Sequence, residues 1–171
     1  MKRLAPLLAL LLLGTAAFAE EPVELEVRPA ADVTLQEFLW TARLVVVFAD
    51  SDADPRFSEQ IALLHAGSDE LVDRDVIVIT DTDPAARSEL REELRPRGFM
   101  MVLIGKDGGV KLRKPFPWDV REITRVIDKT PLRQQEVRDR RAAAAEAEAA
   151  AAAAAEANAE TDPETGTGTG Q

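Results

Sequence analysis

The chain has 171 residues, a formal net charge of −10 and no cysteine. Thiol peroxidase, disulfide-exchange and thiolate–metal chemistry therefore have no residue to work with, and a lipid anchor on an N-terminal cysteine is excluded. The acidic balance also opposes nucleic acid and anionic lipid as general electrostatic partners. Met1 to Ala19 has the three parts of a secretory signal: Lys2 and Arg3, the apolar run Leu4 to Leu13, and Ala17-Phe18-Ala19 as a small-x-small cleavage site. Its apolar stretch is 16 residues, short of the ~20 that a spanning helix needs. Residues 1–19 are thus expected to be cleaved, leaving a mature chain from Glu20, periplasmic or secreted, with no stable membrane anchor.

Val23, Leu25 and Val27 alternate with Glu24, Glu26 and Arg28, which predicts a short edge strand β1 over 23–27. Thr34 and Glu37 have capping-box spacing, with Val33 and Phe38 placed as a hydrophobic staple, so a short helix is expected through about Trp40. Leu44 to Ala49 is an unbroken apolar run, predicted as the central strand β2, buried on both faces. Asp54-Pro55 then reads as a helix cap and first position, and Phe57, Ile61 and Leu64 give an apolar helical face that Gly67 can end. His65, the only histidine, is expected to be a partly buried structural residue on that helix.

Ser68 to Val72 reads as a turn, and Val76-Ile77-Val78-Ile79 as a buried strand β3. Asp83-Pro84 starts another helix with Ala86, Leu90 and Leu94 on one face, broken by Pro96 to Gly98. Phe99 to Ile104 is the third apolar run, β4, and an Asp107-Gly108 turn leads to β5 over 110–113, which alternates like an edge. Lys111, Arg113 and Lys114 sit near Phe116 and Trp118, either to guard this edge or to let it pair with a partner. Asp119 and Glu122 are placed to cap a last helix carrying Val120, Ile123 and Ile127.

The domain so defined spans residues 22–129. Beyond it, apolar periodicity fades, and 130–160 reads as an alanine-rich, low-complexity helical tail with Glu136 and Arg140 spaced as an i, i+4 pair. The Thr-Gly-rich residues 161–171 are expected to be disordered.

Three strands that are apolar throughout must be central, and two that alternate must be edges. An α/β, thioredoxin-like mixed five-stranded sheet ordered β1-β3-β2-β4-β5 meets both demands. Trp40 with Arg43 and LVVVFA (44–49), RDVIVI (74–79) and GFMMVLIGKDGGVKLR (98–113) carry a specific likeness. Over roughly residues 33–129 the chain resembles the exported thioredoxin-like family called domain of unknown function 4174. That resemblance implies a kinship to domains in animal extracellular proteins with sushi repeats, an extracytoplasmic location and no established activity. Where active thioredoxins carry Cys-x-x-Cys, this chain has Asp50-Ser51-Asp52-Ala53-Asp54-Pro55, and where they carry a cis-proline it has Gly98-Phe99.

In the expected strand order, loops 50–54 and 80–83 are neighbours, which gathers Asp50, Asp52, Asp54, Asp81 and Asp83. Five carboxylates can coordinate Ca²⁺ or Mg²⁺ through oxygen. Alternatively, Asp54 and Asp83 cap helices and the others face solvent. No nucleophile–base pair is evident, so a catalytic residue is not assigned. The expectation is an exported non-redox binding or structural module, with an unknown extracytoplasmic protein as a candidate partner. The alternative is a divalent-cation-dependent enzyme or sensor that uses the acidic loops.

Overall fold

The computed structural model of the chain describes residues 24–160. Residues 1–23 and 161–171, on which the expected signal, Val23 of the first strand and the expected disordered tail fall, lie outside the described residues.

Five strands form one mixed sheet in the order β1-β3-β2-β4-β5: β1 Val27–Pro29, β2 Arg43–Phe48, β3 Val76–Asp81, β4 Met100–Ile104 and β5 Val110–Lys114. β2 pairs in parallel with β3 and antiparallel with β4, and β3 pairs in parallel with β1. β4 and β5 close as an antiparallel hairpin. The expected order and edge assignments hold, because every residue of β2 is buried while β1 and β5 keep one wet face. β1 is shorter and later than expected; Leu25 is buried ahead of it and Val27 is exposed.

Alternating side chains send the core to both faces of the sheet. Val45, Val47, Met101 and Leu103 pack with Leu64, Leu71, Ile123 and Ile127 from the helices α1 (Pro55–Ala66), α2 (Ser68–Val72) and α4 (Val120–Asp128). Leu44, Val46, Val102 and Ile104 pack on the other face with Phe38, Leu90 and Leu94, the last two from α3 (Glu89–Leu94). Phe57 and Ile61 join the first cluster, as the predicted helical face requires. Gly67 lets α1 end against α4, since a Cβ there would stand 2.7 Å from a Val120 methyl. Buried Gln60 ties α1 to the segment between β5 and α4: its Nε2 donates to the Trp118 carbonyl at 3.0 Å, and its Oε1 accepts the Trp118 N–H at 2.8 Å.

Several local expectations change. Residues 68–72 are helix α2, not a turn, and the 34–40 helix is only a 3₁₀ turn over Leu35–Phe38. Thr34 makes no side-chain cap there: the Glu37 N–H donates to the Thr34 carbonyl at 3.3 Å, and the Glu37 carboxylate accepts from Arg28 Nη1 at 2.6 Å instead of reaching back. The helix expected from Pro84 is split: a 3₁₀ turn at Pro84–Ala86 ends at Arg87 with φ 50, and Ser88 caps α3 afresh. Ser88 is drawn inward by Asp81, which fixes the break. His65 is exposed on α1 rather than partly buried, since Leu64 alone takes the inward position there.

The largest departure is the tail. Helix α5 spans Pro131–Glu160, and its first turns belong to the domain. Arg133 is buried, and its guanidinium donates to the Asp73 carbonyl at 3.1 Å and carboxylate at 2.5 Å. Glu136 accepts both bonds from Arg43 Nη2, at 3.0 and 2.9 Å, and Arg140 donates to Asp73 at 2.7 Å. Glu136 and Arg140 therefore do not pair with each other. Docking through charges leaves no apolar period to read. From Ala142 to Ala157 the helix is solvated, and no helix among the described residues is long and apolar enough to cross a membrane.

Candidate functional site

Two ends of the sheet offer chemistry. At the carboxyl end of β2 and β3 the acidic loops do lie side by side, the Ala49 N–H donating to the Asp81 carbonyl at 2.9 Å. Asp54 caps α1, accepting from the Arg56 N–H at 2.9 Å, and is gripped by the Arg56 guanidinium at 3.0 and 2.7 Å. That side-chain bond, stronger than the opposing effect of burial, holds the Asp54 carboxyl below its ordinary value. Asp83 accepts from the Ala85 N–H at 2.9 Å and caps the following 3₁₀ turn.

Asp81 is different. It is buried, and one oxygen accepts from Arg91 at 2.8 and 3.0 Å while the other accepts from Ser88 Oγ at 2.6 Å. Arg91 also donates to the Ala49 carbonyl at 2.8 Å and lies over the Phe48 ring, 5.4 Å from its centre. This knot joins β2, β3 and α3. Asp50 and Asp52 are exposed, with Arg91 Nη1 3.9 Å from Asp50. Among the described residues no three His, Cys, Asp or Glu side chains gather where they could hold a metal ion. A cation at this end would have to draw Asp81 away from Arg91. Ahead of β4, Gly98 stands at φ 62, a backbone setting that favours glycine.

The opposite end holds a cleft of about 530 Å³ between Trp40, the β4–β5 hairpin and the α4–α5 corner. Its apolar walls come from Leu103, Ile104, Val126, Ile127, Pro131 and Leu132. Arg43, Lys106, Lys111 and Lys129 bring four cationic side chains to it, against Asp107 as the only acidic one. Arg43, 3% exposed, donates to Glu136 and to the Arg74 carbonyl at 2.8 Å. Lys106 holds Asp75 at 2.8 Å and Glu136 at 3.0 Å. Lys111 binds Asp107 at 2.6 Å, and this bond outweighs burial in holding the Asp107 carboxyl below its ordinary value.

Trp40 is the anomaly at this end. It is 69% exposed, yet its φ is 64, a left-handed setting that bulky residues rarely adopt. Its N–H donates to the Lys106 carbonyl at 2.7 Å, so the hairpin holds the strained turn in place. Such strain costs on the order of 1–3 kcal/mol, while glycine's extra chain freedom costs about 0.5–1 kcal/mol. Trp40→Gly should therefore keep the domain's stability or raise it by up to ~1 kcal/mol, as measured by urea unfolding.

The ion pairs behind the cleft also set a pH limit. Burial would raise the Glu136 carboxyl, but hydrogen bonds and charges from Lys106 and Arg43 outweigh it and hold it below its ordinary 4.5. For Asp73, burial is likewise outweighed by Arg140 and Arg133, which hold it below 3.8. Depressed carboxyl values mean that this stabilisation is complete above the ordinary values and is lost as pH falls through the folded ones. Limited proteolysis at the α4–α5 junction should thus be slow at neutral pH and accelerate as pH drops below 4.5.

The acidic loops were legible in the sequence; the cleft was not. Trp40 and Arg43 stand in the stretches that carry the family resemblance, but neither has a spacing that marks a site. The one usable signal was Arg43 at the head of a buried strand, since a buried guanidinium demands a carboxylate somewhere.

Three solved structures resemble this chain at low identity. A reduced 2-Cys peroxiredoxin from Plasmodium vivax is 16% identical, with 61% of this chain and 85% of that chain covered, at a TM-score of 0.47. Chloroplastic thioredoxin z is 20% identical, over 63% of this chain and 95% of that one, at 0.47. Reduced desulfothioredoxin from Desulfovibrio vulgaris Hildenborough is 20% identical, over 63% and 100%, at 0.45. None of the three brings an activity to this chain. By a match over residues 34–136, which runs from the turn before Trp40 to the α5 anchor Glu136, the chain belongs to the family described as "Domain of unknown function (DUF4174)".

Proposed function

We propose that this domain is an exported, non-redox binding module, and that its ligand enters the cleft beside Trp40. The observation that carries this reading is an exposed tryptophan held in a strained backbone setting on the rim of an apolar-walled cleft. Strain at an exposed aromatic gives the fold nothing, so its place is explained by what the indole touches when a ligand is present. A cleft of about 530 Å³ with apolar walls and a few converging polar groups has the form of a ligand site. The loop after β2 supports the same reading. It has no cysteine, Asp54 is committed to capping α1, and Asp81 beside it is committed to Arg91. Export rests on the signal pattern of residues 1–19.

The chain has two tryptophans, so Trp118→Phe leaves Trp40 as the sole indole reporter. The mature chain from Glu20 carrying that change should be titrated with extracytoplasmic extract split by ultrafiltration into small-molecule and macromolecular fractions. A saturable shift of Trp40 emission with either fraction supports the binding reading. Silence with both would sink it.

A further inference from the structure

Resting on that reading, we propose that the cleft takes a small amphipathic anion: an aromatic or alkyl body that lies against Trp40, with one carboxylate or sulfonate held by Lys111 and Lys129. The argument is one of charge that remains after the fold has used its own. The chain as a whole is strongly acidic, yet four of the five charged side chains lining the cleft are cationic. Arg43 and Lys106 are committed to Glu136 and Asp75 behind the cleft, and both side chains are largely buried. Lys111 is held only by Asp107, in a half-exposed pair on the hairpin. Exposed pairs of this kind exchange partners at little cost.

The exposed Lys129 side chain makes no hydrogen bond or ion pair within the described residues. Two ammonium groups, one free and one exchangeable, thus line a cleft whose apolar surface comes from Leu103, Ile104, Val126, Ile127, Pro131, Leu132 and Trp40. Apolar walls with ammonium groups at the edge match a molecule with an apolar body and one anionic head. A cationic or sugar-like ligand would leave Lys129 unpaired, the apolar walls unused, or both.

The probe for this is 1-anilinonaphthalene-8-sulfonate, set against its neutral counterpart N-phenyl-1-naphthylamine, which has the same rings without the sulfonate. Both are titrated into the full mature chain carrying Trp118→Phe, and binding is read from probe emission and from quenching of Trp40. The expected result is saturable one-to-one binding of the sulfonate, about tenfold tighter than the neutral probe, in keeping with a charge-assisted contact. Lys111→Gln with Lys129→Gln should bring the sulfonate down to the neutral probe's affinity and leave the neutral probe unchanged. Trp40→Gly, a change the backbone there accepts, should weaken both probes.

Equal affinity for the two probes, or sulfonate binding indifferent to the lysine pair, would overturn the anionic assignment. Binding of both probes unaffected by Trp40→Gly would place them elsewhere on the molecule and overturn it too. If Trp40 responds to extract but not to the sulfonate, the binding reading stands and only this ligand class falls.

Discussion

Asp81→Ala should cost the domain about 3–5 kcal/mol, the range for removing one partner of a buried ion pair. For a domain of this size that lowers the melting temperature by on the order of 20 °C. The reason is the state in which the change leaves its neighbours. Arg91 stays packed against Phe48 with only exposed Asp50, 3.9 Å away, to face its charge, and Ser88 Oγ loses its acceptor at the start of α3. Asp81→Asn keeps the shape and an acceptor oxygen, so it should cost roughly half as much, since charge-assisted hydrogen bonds are about twice as strong as neutral ones. Replacing the pair together, with Asp81→Leu and Arg91→Leu, should recover much of the loss. Asp52→Asn, on an exposed side chain of the neighbouring loop, should stay within about 0.5 kcal/mol. Urea unfolding of the four variants checks the series. A cost for Asp81→Ala no larger than that for Asp52→Asn would refute the structural role given to Asp81.

The second large effect concerns where the domain ends. A chain stopped after Thr130 loses Arg133, Glu136 and Arg140, leaving buried Arg43 with the Arg74 carbonyl and a half-exposed Asp75 at 3.8 Å. Because Asp75 and solvent recover part of the charge balance, the expected cost is about 2–4 kcal/mol, below the full range for a stranded buried charge. A chain stopped after Arg141 keeps every one of those contacts and discards only residues 142–171, the solvated alanine-rich stretch and the Thr-Gly tail. It should unfold within about 0.5 kcal/mol of the full chain. Thermal melts of the two truncations side by side separate a docked helix base from a mere tail. Equal stabilities would show that the ion pairs of α5 contribute nothing to the domain.

These two cases show where reading the sequence reaches its limit. The three apolar runs named the central strands because a strand buried on both faces has no polar alternation to hide behind. Asp54 and Asp83 were readable as caps because an Asp-Pro pair at a helix start is a local signal. The role of Asp81 was not readable, since its partner Arg91 lies ten residues on, across a helix break that no local pattern announces. The docking of α5 was hidden for a stronger reason. Glu136 meets Arg43 across 93 residues, and charges carry no period that marks which face of a helix is bound.

By itself, then, the sequence excluded thiol chemistry and separated the three central strands from the two edges. Each follows from composition or from hydrophobic pattern, which act locally and repeat. Only the tertiary structure decided that Asp81 serves Arg91, that α5 begins inside the domain, and that Trp40 stands over a cationic, apolar-walled cleft. Those depend on which buried charges find each other and on where the backbone is held under strain, and both are settled by packing between distant segments.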